Sequence, residues 1–447
     1  MQTRKQPTVQ NKAIVIGAGF AGTEAAMQLA RAGVETHLYE MKPVKFSPAH
    51  QKETFAELIC SNSFKAARVE SAAGLMKEEM SRLQSLCVSC AKATAVPAGG
   101  SLSVNRDQFS ELVTEKILAE PNIVVHREEV TALPKPGVDA DVVIVAAGPL
   151  ASEALSKDIQ ALCGEGLHFY DAVAPIVSGD SIDRTKAFAQ SRYDRGGDED
   201  YLNCPMNKEE YEAFYQALIT AESAPLHSFD KRKDVYEGCM PIEVMASRGP
   251  DTMRFGPLKP VGLRDPRTGH RPWAVLQLRK ETKEGSMYNL VGFQTNLKFG
   301  EQKRVFSMIP GLEQAEFLRY GVMHRNTYLQ SPQLLGPDFQ FRTQKGLFFA
   351  GQITGVEGYM ESAMSGILAG INAVRFLQQK PAFILPDYTM MGALSAYISN
   401  PAVTDFQPMG ANFGVLPPLE NPPRQKKERY GQYAARSLAY FDTLQEV

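Results

Sequence analysis

The chain has 447 residues, 48 Lys and Arg against 50 Asp and Glu for a formal net charge of -2, and 44% hydrophobic residues. At roughly 150 residues per domain this length predicts two or three domains with ordinary cores, and the composition excludes a largely disordered chain. The near-neutral balance excludes a uniformly basic nucleic-acid coat and an acidic tail, so any polyanion-binding surface must be regional.

The first forty residues alternate between elements. Ala13 to Ile16 is a β-branched run, Gly19 to Ala32 is helix-forming and Val34 to Tyr39 is a second strand, which together predict a βαβ unit. Further on, Asp107 to Leu118 reads as a helix capped by Asn105, Asn122 to Val125 as a strand, and Val142 to Ala146 as a buried strand ending in Ala147-Gly148-Pro149. Between Leu167 and Tyr320 the texture changes to Pro/Gly-rich turns such as GPLKPVGL, short strands such as Ala274 to Leu278 and charged helices such as Lys208 to Ala221. The strand-to-glycine pattern returns at Leu347 to Ala350 and Gly351, followed by a helix from about Glu361 to Leu377. The tail from Asn421 is proline-rich, then basic (Arg424 to Arg429), then helical. The expected fold class is α/β: a Rossmann-like, parallel-sheet domain over residues 10–166 and 321–447, interrupted by a smaller α+β insertion over 167–320 that meets the substrate.

GAGFAG, with Gly17, Gly19 and Gly22, follows a strand and opens a helix, where a pyrophosphate needs bare backbone and a helix N-terminus. Glu40 ends the next strand, placed to accept hydrogen bonds from an adenosine ribose and to repel a 2′-phosphate. The second unit, GQITGVEGYMES, puts Gly351 and Gln352 at the far end of an extended dinucleotide and favours FAD over NAD.

Six cysteines, Cys60, Cys87, Cys90, Cys163, Cys204 and Cys239, have neither the density nor the spacing of a disulfide scaffold, which points to a reducing compartment. The apolar run AIVIGAGFAG is too short and glycine-broken for a signal segment, and no stretch reaches ~18 uninterrupted apolar residues. A cytoplasmic protein with no membrane partner is expected. Cys60 (ELICSNSF) and Cys239 (YEGCMPIE) stand among small and polar residues, where a thiol serves either as packing or as a nucleophile. Cys87 and Cys90 lie one turn apart in a helical-looking stretch, SRLQSLCVSCAKAT, and read as packing residues. No second pair stands at zinc-ribbon spacing, and no metal is expected. His324 lies just upstream of the second glycine unit. Arg254 to Lys283 holds eight Lys/Arg against Asp265 and Glu281, a local net of +6, and with Lys298, Lys303, Arg304 and the Arg424 to Arg429 run it is the candidate polyanion surface.

Eleven blocks spread over nearly the whole chain carry a family resemblance. They are VIGAGFAGTEAA, YEMKP, FAELICSNSF, VPAGGSLSVNRDQFSE, FYDAVAPIV, YLNCPM, EGCMPIEVMASRG, FGPLKPVGL, YNLVGFQTNLKFGEQKRVF, RYGVMHRNTY and FFAGQITGVEGYMESA. The chain resembles the bacterial methylenetetrahydrofolate- and FAD-dependent tRNA uracil-5-methyltransferases (TrmFO). The related MnmG flavoproteins are expected to resemble this chain only in the FAD domain and carry a long C-terminal helical extension for which 447 residues would leave no room. The resemblance implies FAD as cofactor, 5,10-methylenetetrahydrofolate as carbon donor, reduced nicotinamide (NADH or NADPH) as reductant, and the T-arm of tRNA as substrate, methylated at C5 of its T-loop uridine. It implies no stable protein partner.

The family chemistry also assigns roles. Addition of a thiolate to uracil C6 creates an enolate that makes C5 nucleophilic. In the family the flavin is thought to relay the methylene to C5 and then supply the hydride. The resemblance puts Cys239 as the C6 nucleophile, Cys60 as second thiol or proton-transfer partner, Tyr359 as the uracil-positioning or proton-removing group, and His324 as a stacking partner for the folate pterin. Two other readings remain: the same chemistry on a 23S rRNA uridine, and a flavin-bound RNA-binding protein without catalysis.

Overall fold

The computed structural model of the chain describes residues 11–164, 167–172, 174–194, 200–224, 240–404 and 406–444. Val142–Val145 is four β-branched residues in a row, all fully buried. Such a strand needs cover on both faces, as central strands of parallel sheets do. It lies in a five-stranded parallel sheet in the order Leu347–Phe349, Val142–Val145, Lys12–Ile16, Glu35–Tyr39, Ile123–His126. Side chains alternate strictly. Ala13, Val15, Val142, Ile144 and Phe348 face one core, whereas Ile14, Ile16, Val143, Val145 and Phe349 face the other with Leu155 and Ile159.

The first of these cores contains a helix contact made backbone to backbone. The Phe20–Arg31 helix lies against Tyr359–Leu377 with Gly366 so near that a Cβ there would stand 2.1 Å from the Ala21 carbonyl oxygen, and one at Gly370 3.0 Å from that of Ala25. Glycine is required because backbone meets backbone. This helix begins two residues before the expected Glu361 and is preceded by a 3₁₀ turn, Gln352–Thr354, so Gly351 opens a turn and not the helix itself. The stretch around Cys87 and Cys90 is likewise broken. One helix ends at Arg82, Gln84 takes φ 58°, and Ser85 caps a second helix, Leu86–Ala93, through the Val88 N–H.

The described residues between 174 and 320 build a separate core around a six-stranded antiparallel sheet in the order Phe188–Ala189, Tyr201–Met206, Ala274–Lys280, Met287–Leu290, Ile176–Ser178, Phe317–Arg319. A two-stranded antiparallel ribbon, Leu167–Ala172 with Met323–Tyr328, joins it to the parallel-sheet part. A small sheet, Ser63–Ala66, Ser101–Val104 and Ala95–Val96, stands beside the parallel-sheet core.

Glu79, fully buried on the Ala72–Arg82 helix, ties down the C-terminal region. Its carboxylate accepts the N–H groups of Met390 and Met391 (2.8 Å each) at the start of the Met390–Ser399 helix and the Ser437 hydroxyl from the Lys426–Phe441 helix. Burial pushes this carboxyl up to about 7, only partly offset by those donors.

Two outcomes are expected. Gly366→Ala should destabilise the protein by about 1–3 kcal/mol through overpacking, read as a lower urea midpoint. Glu79 keeps its proton in the folded state over a window, from about 4.5 to about 7, in which the unfolded chain has already released it. Stability therefore falls as pH rises through that window, by up to about 1.4 kcal/mol per pH unit from this group. Glu79→Gln should remove that slope, so wild type and variant should diverge between urea titrations at about pH 5 and about pH 8.

Candidate functional site

The loop after the first strand shows three reasons for three glycines. Gly17 has φ 97°, with the Ala146 carbonyl oxygen 2.5 Å from where a Cβ would stand. A Cβ at Gly22 would lie 1.7 Å from the Gly17 oxygen, so the helix can pack on the strand only without one. Gly19, the helix N-cap, has nothing within 4 Å in that direction: its bare backbone faces an open cavity. That is the geometry in which a pyrophosphate can reach a helix N-terminus.

Glu40 lines the same cavity and is buried, with one oxygen accepting the Ala18 N–H (3.0 Å) and the other the Lys42 N–H (3.0 Å). A carboxylate has further lone pairs, so it can still receive a ribose hydroxyl. Gly351 and Gln352 line the cavity from the opposite chain segment. The Gln352 amide donates to Glu357 (2.6 Å), and the Gly351 N–H to the Ser365 hydroxyl oxygen (2.6 Å). These residues fit a flavin dinucleotide: open space over Gly19, a carboxylate at the ribose end and a glycine turn at the other. His50 and Lys42, which sequence reasoning passed over, also line it. Burial lowers the proton affinity of both, and the neighbouring Lys42 charge adds to the effect on His50.

Tyr359, first residue of its helix, lines the cavity and stacks on Phe20 (centroids 4.8 Å apart), while its phenol oxygen accepts the Cys60 N–H at 2.7 Å. Cys60 and Tyr359 are thus in contact across 299 residues of sequence. Cys239 lies outside the described residues. His324 is placed in the ribbon strand, its backbone opposite Asp171.

The loop bearing Cys60 is held by residues that sequence reading did not single out. The Arg106 guanidinium donates to the carbonyls of Leu58 (2.6 Å) and Cys60 (3.4 Å), and pairs in a bidentate fork with buried Glu281 of the insertion (3.0 and 3.1 Å). Burial alone would lower the pKa of Arg106, but Glu281 overrides it and the group is held more firmly charged than usual. Arg279 donates to Asn62 (2.9 Å) and Ser61 (2.6 Å), and Asn62 donates to the Lys280 carbonyl (3.0 Å). Arg106 stood inside a quoted motif and Glu281 inside the basic run; only their meeting makes them notable.

One other expectation changes. The +6 stretch is not one open cationic face: Arg254 pairs with Asp251, Arg267 with Asp265 (2.7 Å each), and Arg279 is turned inward. Cys87 and Cys90 are buried in the first core, where burial raises both thiols, Cys90 to about 11. Cys163 and Cys204 are raised to about 12 by burial. Among the described residues no group of three or more His, Cys, Asp or Glu forms a metal cluster, and no helix is long and apolar enough to cross a membrane.

Removing Glu281 would leave the Arg106 charge buried and unpaired, so Glu281→Ala should cost about 3–5 kcal/mol in urea unfolding. Alkylation followed by mass spectrometry should show Cys60 modified faster in that variant, with Cys87 and Cys90 still protected.

A family model described as Glucose inhibited division protein A matches residues 12–381. Proteins named methylenetetrahydrofolate--tRNA-(uracil-5-)-methyltransferase TrmFO are similar to nearly the whole chain. That of Desulfitobacterium hafniense is 56% identical over 426 residues (95% of this chain, 96% of the relative), and that of Enterococcus faecalis 56% over 428 (96% and 97%). Among solved structures, Aquifex aeolicus GidA superposes with a TM-score of 0.71 at 18% identity, covering 98% of this chain and 74% of that one. At that identity the likeness speaks for the fold, which is the α/β, Rossmann-like arrangement with an insertion that the glycine units led one to expect. Full-length identity above half, together with the family match over most of the chain, means that this chain belongs to the TrmFO family.

Proposed function

We propose that this chain is a folate-dependent tRNA methyltransferase that acts at C5 of a uracil, with 5,10-methylenetetrahydrofolate as carbon donor and FAD in the cavity between Gly19 and Gly351. The observation that carries this reading is that Tyr359 lines the dinucleotide cavity and at the same time touches the Cys60 loop. Reacting thiol chemistry and cofactor then share one wall. When bound, the flavin supplies methylene relay and hydride; the chain's own residues bind, orient and move protons.

Gly17, Gly19 and Gly22 would receive the pyrophosphate, Glu40 the ribose, and Gln352, fixed by Glu357, the distal part of the cofactor. Uracil C5 must be activated by a thiolate at C6, and this role goes to Cys239 on the strength of the family motif. Cys60 is the second thiol. Arg106 and Arg319, both within electrostatic reach of it, supply the positive potential that a thiolate or uracil enolate needs. Tyr359 is the proton-removing or uracil-positioning group. Because its oxygen accepts from the Cys60 N–H, its own hydrogen points elsewhere, which fixes the orientation of the phenol. His324 is assigned to the folate pterin by motif. Reduced nicotinamide is the reductant, the T-loop uridine the target, residues 167–320 the RNA-facing domain over the 10–166 and 321–447 cofactor domain, and the cytoplasm the setting. No stable protein partner is required.

The purified protein should be yellow and should methylate a tRNA transcript only with folate present. A transcript lacking the T-loop uridine should give no product; methylation of it would overturn the target. Cys239→Ala and Cys60→Ala should retain the flavin and lose roughly a hundredfold or more of methyl transfer. Full activity in either would remove that thiol from the scheme.

A further inference from the structure

Three aromatic rings of the insertion stand in a row. Phe317 and Tyr320 stack with centroids 5.4 Å apart and planes 6° off parallel, and Tyr320 and Phe299 with centroids 4.9 Å apart at 16°. The inner end is anchored, since Phe317 packs against the insertion core. The outer end is open. Phe299, first residue of the Phe299–Phe306 helix, is 55% exposed, and Leu318 beside the row is 48% exposed.

The row is held rigidly. Gln302, fully buried, accepts the Gly321 N–H (2.8 Å) and donates to the carbonyls of Gly321 (2.8 Å) and Leu297 (2.7 Å). One amide thereby clamps the residue after Tyr320 to the chain just before Phe299. An exposed phenylalanine on a preorganised stack is a poor way to fill a core and a good way to receive one more flat ring.

The residue between Leu318 and Tyr320 is Arg319, on the edge strand of the six-stranded sheet. Among the described residues its side chain has no hydrogen bond or ion pair, although it is half-buried and within electrostatic reach of Arg106, Tyr359, Cys60 and Glu57. A half-buried guanidinium without a partner calls for an anion from outside the chain. On the adjoining helix Lys303 is exposed and has no ion pair among the described residues, whereas Lys298 pairs with Glu222 and Arg304 with Glu301.

We propose that Phe299, Tyr320 and Phe317 form a base-stacking platform for a single-stranded segment of the RNA substrate, with Arg319 holding a backbone phosphate of that strand beside the Cys60 loop. Stacked rings together with cations are the pattern by which unpaired RNA is held, and target bases in RNA are read once extruded. None of the four residues lines the dinucleotide cavity, which separates the platform from the cofactor and favours a strand as its occupant. Tyr320, the middle ring, directly follows Arg319 in the chain, so their Cα atoms lie ~3.8 Å apart and the ring row and the guanidinium belong to one short segment.

This inference rests on tRNA being the substrate, and the test separates the two. With the flavin-loaded enzyme and a tRNA transcript, Phe299→Leu should weaken RNA binding roughly tenfold by fluorescence anisotropy, and Phe299→Trp should keep wild-type affinity. Arg319→Gln should reduce the slope of log affinity against log salt by about one. The folate KM and flavin content should stay as in wild type in both Phe299 variants. Binding by Phe299→Leu within about twofold of wild type would overturn the platform. So would a shift in folate KM in place of RNA affinity, or loss of a wild-type dimer in sedimentation, which would make the ring row a contact for a second copy. If the wild-type enzyme binds the transcript but never methylates it, the functional reading fails and the platform stands.

Discussion

The rest of the molecule depends on the backbone contact between the Phe20–Arg31 and Tyr359–Leu377 helices. Gly366 and Gly370 let the later helix sit directly on Ala21 and Ala25, with no side chain between. The approach has two consequences. It closes one face of the parallel sheet, and it sets the N-terminus of the later helix, with Tyr359, beside the glycine loop that opens the earlier one. Cofactor cavity and aromatic wall arise from one packing decision, made where dispersion contacts are dense and backbones meet.

The second organising feature is electrostatic. A buried ion pair between Arg106 and Glu281, with Arg279 reaching Asn62 and Ser61, fastens the insertion to the Cys60 loop. Buried ion pairs add little net stability against apolar packing, but breaking one is costly, so they fix geometry better than they add free energy. Here the geometry fixed is that of the Cys60 loop between two cores. Arg319 of the insertion is also within electrostatic reach of this loop, so positive potential from two arginines gathers around Cys60 and Tyr359. The surface charge follows a different logic: two cations of the basic run, Arg254 and Arg267, are spent on neighbouring carboxylates.

Much of this was legible in the chain. GAGFAG, Glu40 and the second glycine unit report locally on backbone conformation and helix capping, which depend on residues a few positions apart, and so the βαβ unit and the cofactor cavity could be read directly. The packing role of Cys87 and Cys90 was legible from helical spacing, although the break at Gln84, a single residue at positive φ, was not. The +6 count could not show which cations are already paired, as Arg254 and Arg267 are, or which are turned inward, as Arg279 is, because a sum over thirty residues carries no geometry.

The sequence by itself determined the family, the cofactor class and which thiols to suspect, because motif blocks and the spacing of glycine, acid and cysteine are local properties. Only the tertiary structure decided that Cys60 touches Tyr359, that Arg106 meets Glu281, and that Phe299, Tyr320 and Phe317 stand in one row. Each of these joins residues from different elements, some of them hundreds of positions apart. Contacts of that range are set by how cores pack, not by the preferences of neighbouring residues.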